Sequence, residues 1–289
     1  MVMRVFDPDV LVRSFSQLGF SKEDYQHWQA MTAHTHGIVF VTGPTGSGKT
    51  TTLYSTLKQL ATSEVNVCTI EDPIEMVEPS FNQMQVQANI DVSFSQGVKA
   101  MLRQDPDIIM IGEIRDLATA DMAIQAALTG HLVLSTLHTN DAPSSITRLV
   151  DLGVPSYLIS ATVIGVMAQR LVRTLCPHCK TETRPDEAAW HELVQPFKMA
   201  VPATVCQPVG CLECRGTGYR GRMGVYETMP LSGTLKGMVG RNADLEAITR
   251  QAVKGGMKPL RISGAQKVAK GLTTIEEVLR VTPSQDVLL

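Results

Sequence analysis

The chain has 289 residues, of which 44% are hydrophobic and 19% charged, enough apolar material for one large or two modest packed domains. Its 26 basic and 28 acidic residues leave a formal charge of −2, and only 5% of residues are aromatic, which argues against a surface built to wrap nucleic acid. The longest uncharged run, between Asp151 and Arg170, is interrupted by Pro155, Ser156, Ser160, Thr162 and Gln169, so it predicts a buried helix rather than a membrane span.

Met1 to Asp7 reads as the end of a strand with nothing before it to pair with, so residues 1–20 are expected to be the remnant of a preceding domain plus a linker. The same stretch has no charged segment followed by an apolar one, and no signal peptide is expected. Ser21, with Asp24 three residues on, predicts the start of a helix. Ile38 to Thr42 is a short β-branched run that reads as a buried strand, and GPTGSGKT follows it at once, from Gly43 to Thr50. Leu53, Leu57 and Leu60 then lie at helical spacing. A strand, a glycine-rich turn and a helix are the context that a phosphate loop requires.

Further strands are predicted at Asn66 to Ile70, Ile108 to Gly112 and Leu132 to Leu137. A helix with Val98, Met101 and Leu102 on one face precedes the second of these. Asp116 caps another, whose Ala120, Ala123, Ile124, Ala127 and Leu128 share a face, with Gly130 at its end. Helices are expected at Ser144 to Leu152 and Pro155 to Leu171. Apolar strands alternating with helices indicate an α/β fold with a mostly parallel, doubly covered sheet. Past Arg173 the texture changes to cysteine pairs among Pro and Gly, which predicts a boundary: a core over 21–172, a cysteine module over 173–230 and a mainly helical subdomain over 231–289. Three short helices are expected there, Asp244 to Lys254, Pro259 to Lys270 and Thr274 to Arg280, the last capped by Thr273 with Glu276.

The chemistry follows from the loop. Gly43, Gly46 and Gly48 let successive N–H groups of Gly43, Thr45, Gly46, Ser47, Gly48, Lys49, Thr50 and Thr51, with Pro44 among them, turn toward phosphate oxygens. Lys49 would reach the β- and γ-phosphates of ATP, and the Thr50 hydroxyl would ligate Mg²⁺. Ligands of such sheets bind beyond the carboxyl ends of strands, which selects TIEDPIE (Thr69 to Glu75), GEIRD (Gly112 to Asp116) and the histidines bracketing the fourth strand. Glu113 is expected on the Mg²⁺ side and Glu75 to polarise the attacking water, with Glu71 and Asp72 as competitors. His138, and His131 with it, are candidate γ-phosphate contacts, and Arg103 and Arg115 could face phosphates or a neighbouring carboxylate. Cys176 with Cys179 and Cys211 with Cys214 form two CxxC pairs that suit one closed, structural Zn²⁺ site, with His178 as a less favoured substitute.

GPTGSGKTTTLY, TIEDPIE, LRQDPDIIMIGEIRD and TGHLVLSTLHTNDA together resemble the type II secretion and type IV pilus assembly ATPase family, in that family's order of boxes, from about Arg4 onward. The resemblance implies a RecA-like core working as a homo-hexameric, cytoplasmic motor, held peripherally at the inner membrane by a platform protein and a docking protein. It makes Lys49 and Thr50 the phosphate and Mg²⁺ ligands, Glu113 the Walker B acid, Glu75 the catalytic Glu and His131 and His138 the His-box pair. Arg4 matches an arginine that reaches a neighbouring subunit's nucleotide. The cysteine module matches the family's zinc module, present in secretion and assembly members. Lys99 departs from the Arg expected at its position. A nucleic-acid translocase and a nucleotide-binding remnant without turnover are the rival readings, and no specific nucleic acid partner is expected.

Overall fold

The computed structural model describes residues 13–283, so the expected strand at Met1 to Asp7 and Arg4 lie outside the described residues. A short helix α1 (Phe15–Leu18) leads into α2 (Lys22–Thr32), which begins with the predicted capping box of Ser21 and Asp24. The main motif follows as β1 (Gly37–Thr42) and α3 (Lys49–Leu60). Then come β2 (Val67–Glu71), β3 (Asn82–Gln85), α4 (Phe94–Met101), β4 (Ile108–Ile111), α5 (Leu117–Leu128) and β5 (Leu132–Leu137). Asp116 caps α5 by accepting the N–H of Thr119 at 2.8 Å, as its position predicts.

Two helices, α6 (Pro143–Asp151) and α7 (Ser156–Thr162), lead to β6 (Val163–Leu175). The helix expected over Pro155 to Leu171 is therefore corrected: it stops at Thr162, and Val163 begins a strand. The reason is burial on both faces. Residues 163–170 of β6 are all buried, so their sequence shows no alternation, and such a run looks the same as a buried helix by periodicity. Gly165 marks the close approach instead, since a Cβ there would lie 2.1 Å from Met31 Sδ.

The remaining elements are β7 (Thr181–Thr183), α8 (Glu187–Val194), β8 (Val205–Gln207), β9 (Tyr219–Pro230), α9 (Gly233–Gly240), α10 (Leu245–Lys254), α11 (Leu260–Ala269) and α12 (Ile275–Val281). The cap of α12 is Thr274, which accepts the Glu277 N–H, whereas Thr273 donates to the Arg173 carbonyl at 2.8 Å. This corrects the predicted box by one residue.

The sheet runs β3-β2-β4-β5-β1-β6-β9, parallel throughout except for the last pair. It is covered on both sides. Val39 and Val41 face a cluster holding Trp28, Leu53, Tyr54 and Leu57 from α2 and α3. Ile38 and Phe40 face the other, with Ala123, Ile124, Ile146 and Leu149 from α5 and α6. Each fully buried aliphatic side chain in these layers contributes about 1.5–3 kcal/mol. Residues 173–230 supply β9 to this sheet and a separate two-stranded ribbon, β7 with β8.

The C-terminal helix is fastened to β6 by one acid. Glu277, 2% exposed, accepts from Arg173 Nη2 at 2.6 Å, the Arg173 N–H at 3.1 Å and Arg280 Nη2 at 2.8 Å. Burial works to raise its pKa, but the Arg173 and Arg280 bonds outweigh burial and hold it at about 2, against 4.5 ordinarily. A depressed carboxyl stabilises the fold above its unfolded pKa, and that contribution is lost as pH falls through about 2. Glu277→Gln is expected to lower the unfolding free energy at pH 7 by about 2 kcal/mol. Urea titrations should show the gap to wild type narrowing below pH 4.5.

Candidate functional site

Strand backbones are already paired, so the groups free to act lie where the parallel strands end. After β1 the chain turns through Gly43–Thr50 with positive φ at Gly43 (147°), Gly46 (78°) and Gly48 (87°). Gly43 has no room for a side chain: a Cβ would sit 2.5 Å from the Gln169 carbonyl oxygen and 2.7 Å from Ser47 Oγ. Thr50 and Thr51 lie half-buried in the first turn of α3, while Pro44, Thr45 and Gly46 are exposed.

Lys49 folds its Nζ back onto the carbonyl oxygens of Gly43 (2.8 Å) and Pro44 (3.1 Å). Burial presses its pKa down to about 8; Glu113 opposes that shift and Arg170 adds to it. Ser47 Oγ is buried and lacks a hydrogen-bond partner. A buried orphan hydroxyl, a desolvated ammonium and a glycine turn at a helix N-terminus form a donor set that fits a phosphate group.

Glu113 stands opposite. The turn that carries it is held by the Gly112 N–H on the Ile70 carbonyl (2.8 Å), the Ile114 N–H on the Thr136 carbonyl (3.1 Å) and Thr136 Oγ1 on the Gly112 carbonyl (2.7 Å). Its Oε2 is 2.6 Å from Arg115 Nε and 3.4 Å from His138 Nε2. Arg115 is otherwise open, with its side chain 70% exposed. His138 is held from both sides by Thr42, whose Oγ1 donates to the Leu137 carbonyl (3.1 Å) and accepts the Thr139 N–H (2.9 Å). Burial and then the Lys49 charge lower the His138 pKa from 6.5, with Glu113 pulling the other way. The ring is therefore neutral at pH 7 and can donate or accept.

The other expected residues fall elsewhere or are spoken for. His131 precedes β5 and His138 follows it, which puts them at opposite edges of the sheet, roughly 20 Å apart at 3.3 Å per residue. His131 Nδ1 lies 2.9 Å from the Ala126 carbonyl and 3.1 Å from Thr129 Oγ1, so this chain does not bring His131 to the site. Arg103 lies ahead of β4, at that same far edge, and is exposed. Among the competing acids, Glu71 is buried and already accepts from Tyr54 Oη (2.7 Å) and Thr69 Oγ1 (2.6 Å). Asp72 is exposed, and Glu75 is half-buried in the loop leaving β2.

The four cysteines also converge. Their sulfurs all lie within 4.8 Å of one another, with neighbouring pairs at 3.7–3.9 Å. Thiolates at about 2.3 Å around a tetrahedral metal would stand about 3.8 Å apart, so the cluster fits one ion. Gly210 donates its N–H to Cys179 Sγ (3.3 Å), and Cys211 (3.1 Å) and Gly218 (3.2 Å) donate theirs to Cys214 Sγ. Burial opposes ionisation of Cys214, yet those N–H groups prevail and hold its thiol near 6. His178 is exposed and outside the cluster.

Residues 1–280 match the family model described as Type II/IV secretion system protein. The chain belongs to that family. It is 64% identical over 283 residues to the type IV pilus assembly ATPase TfpB of Acinetobacter baylyi, covering 98% of this chain and 48% of that protein. It is 47% identical over 283 residues to the type II secretion system protein E of Pseudomonas aeruginosa, covering 98% of this chain and 56% of that protein. The chain thus spans about half the length of the curated relatives it matches. Among solved structures, the pilus retraction motor PilT with bound ADP matches at a TM-score of 0.69 and 27% identity, over 95% of this chain and 68% of that one. The Legionella pneumophila ATPase DotB matches at 0.67 and 25% identity, over 93% and 65%.

In this family member, three site-supporting residues escaped the sequence reading, two from a strand taken for helix and one from a strand that was not predicted. Gln169 and Arg170 lie on β6, and Glu227 on β9. Arg170 Nη2 donates to the Asn140 carbonyl (2.8 Å). Glu227 accepts the N–H groups of Ala142 (2.7 Å) and Leu260 (3.3 Å), and burial pushes its carboxyl up to about 7. The available signal was a polar pair inside an apolar run, which is uncommon unless those groups are bonded. The electrostatic balance at His138 can be read directly. Its imidazole is expected to titrate below 6.5 by NMR, further below in Glu113→Gln and less far below in Lys49→Ala. A wild-type value above 6.5 would contradict the burial described here.

Proposed function

We propose that this chain hydrolyses ATP to ADP and phosphate, with Mg²⁺, as the catalytic part of a motor for type IV pilus assembly or type II secretion. The observation that carries this reading is the convergence of Lys49, Glu113 and His138 on the Gly43–Thr50 turn at one edge of the sheet. The higher identity to a pilus assembly ATPase favours the pilus of the two machines. The likeness to an ADP-bound retraction motor supports a RecA-like phosphate-loop core within residues 21–172.

In this reading the loop N–H groups, the Ser47 hydroxyl and Lys49 bind and orient the phosphates, and Thr50 and Glu113 would hold Mg²⁺. The ion, once bound, supplies positive charge against the charge that develops on the transferred phosphoryl group. Glu75 orients the water, because Glu71 is committed to Tyr54 and Thr69. His138, neutral, donates to a phosphate oxygen, and Arg115 adds positive charge from the rim. His131 would serve the site only through another subunit or as a strand anchor. We read the assembly as a homo-hexamer in the cytoplasm, held at the inner membrane by platform and docking proteins, with Arg4 offered to a neighbour's nucleotide. Residues 173–230 carry one structural Zn²⁺ on Cys176, Cys179, Cys211 and Cys214, and residues 231–289 form a helical subdomain.

Wild-type protein is expected to bind Mg·ATP and release phosphate. Lys49→Ala should lose nucleotide binding, and unchanged affinity there would sink the assignment. Glu113→Gln should still bind while its turnover falls on the order of 10²–10³-fold. Calorimetry beside a phosphate-release assay separates the two effects.

The cysteine cluster has its own test. Freshly purified protein should contain one equivalent of Zn²⁺ by elemental analysis, and Cys214→Ser should contain much less. Structural zinc contributes on the order of 10–16 kcal/mol in small modules, so chelation should speed proteolysis within residues 173–222. A metal-free protein with unchanged resistance would rule the zinc out.

A further inference from the structure

β6 continues past the end of β1: Thr42 pairs with Ala168, and the next residues of β6 run on beside the Gly43 turn with only β9 as partner. Gln169 is the first of these, and it is 2% exposed. Its side-chain amide touches both flanks of Gly48. Nε2 donates to the Ser47 carbonyl at 2.8 Å, and Oε1 accepts from Thr52 Oγ1 at 2.8 Å. The orientation is set by chemistry, since a carbonyl oxygen can only accept and would repel the amide oxygen. Gly48 makes this approach possible: a Cβ there would lie 2.8 Å from Gln169 Nε2.

The bond to Ser47 has a consequence inside the loop. In a trans peptide the C=O and the following N–H point in opposite directions. Holding the Ser47 carbonyl back against β6 therefore aims the Gly48 N–H away from β6. The second bond ties the first turns of α3 to the same amide, so loop and helix N-terminus are held in one frame. Thr52 is 0% exposed, and its Oγ1 donates to Gln169.

We propose that Gln169 is a positioning residue for phosphate binding, acting from β6 through the Ser47–Gly48 peptide and Thr52. It presets the N–H groups of the turn before any anion arrives, so that binding does not have to order the loop. This rests on the proposed nucleotide site.

The test uses Mg·ADP as probe and the full chain in three forms: wild type, Gln169→Met and Glu277→Gln. Gln169→Met keeps the volume and removes both bonds. Glu277→Gln is destabilised at a distance and reports what mere loss of stability does. Titration calorimetry should show Kd raised about tenfold in Gln169→Met, the equivalent of one lost hydrogen bond, and within twofold of wild type in Glu277→Gln. Gln169→Met folded by circular dichroism, yet binding within twofold of wild type, overturns the proposal and leaves the nucleotide site standing. Wild type that fails to bind Mg·ADP overturns the nucleotide site first and the proposal with it. Should Gln169→Met not fold, Gln169→Asn replaces it, an amide too short to span both partners, and the same tenfold or unchanged Kd decides.

Discussion

The pairing of β6 with β1 is the constraint on which the rest of the site depends. β1 delivers the chain to Gly43 and then ends, while β6 runs alongside it and carries on. That difference in length creates a wall behind the glycine turn. On one face of the wall Gln169 reaches Ser47 and Thr52, and the next residue, Arg170, reaches the Asn140 carbonyl beyond His138. Alternation along a strand sends adjacent side chains to opposite faces, so one dipeptide can hold two different loops. β9 backs this wall in antiparallel register, and from it Glu227 holds the N-terminus of α6 and that of α11. The distance from the helical C-terminal part to the His138 loop is therefore spanned by bonded, buried groups with little freedom to slide.

The charges at the edge are arranged so that each is held short of full satisfaction. Lys49 is desolvated and paired with carbonyl dipoles, His138 is kept neutral, and Glu113 is shared between Arg115 and His138. A buried ammonium bonded to dipoles is a weaker arrangement than one facing phosphate oxygens, because charge-assisted bonds are roughly twice as strong as neutral ones. Glu71, by contrast, has its oxygens filled by Tyr54 and Thr69 and is fixed as part of the frame. Two acids four residues apart in one sequence stretch thus differ in burial, Glu71 closed in the frame and Glu75 half-buried in the loop beyond it.

This separation marks where the sequence was legible and where it was not. The turn from Gly43 to Thr50 was readable because its function needs fixed residues at fixed spacing within a strand and a helix. Glu113 stood out as an acid past four apolar strand residues and a glycine, and the structure sets it beside His138. The cysteine cluster followed from two CxxC pairs alone. The β6 strand was not readable as a strand, since burial on both faces erased the alternation that identifies one. Losing β6 also lost Gln169, which looked like a polar interruption of a helix, and Arg170, which looked like the end of an uncharged run. His131 and His138 were paired in the sequence reading, but within this chain a residue before a parallel strand and one after it lie at opposite ends of that strand. Arg4 lies outside the described residues, and its role rests on resemblance alone.

The cysteine cluster completes the same logic at the far end of β6. Cys176 follows the last residue of that strand, and its N–H bonds the Gly218 carbonyl just before β9 begins. Cys214 sits four residues before Gly218, whose N–H bonds the Cys214 sulfur. The cluster therefore closes the connection between the two strands at the point where they part. An ion held by all four sulfurs would fix the register of β6 against β9 at that end. Register matters here because a one-residue slip of β6 would exchange the faces of Gln169 and Arg170 and withdraw both loops' supports together. A cysteine cluster some distance from the Gly43 turn can in this way govern the geometry of that turn without touching it.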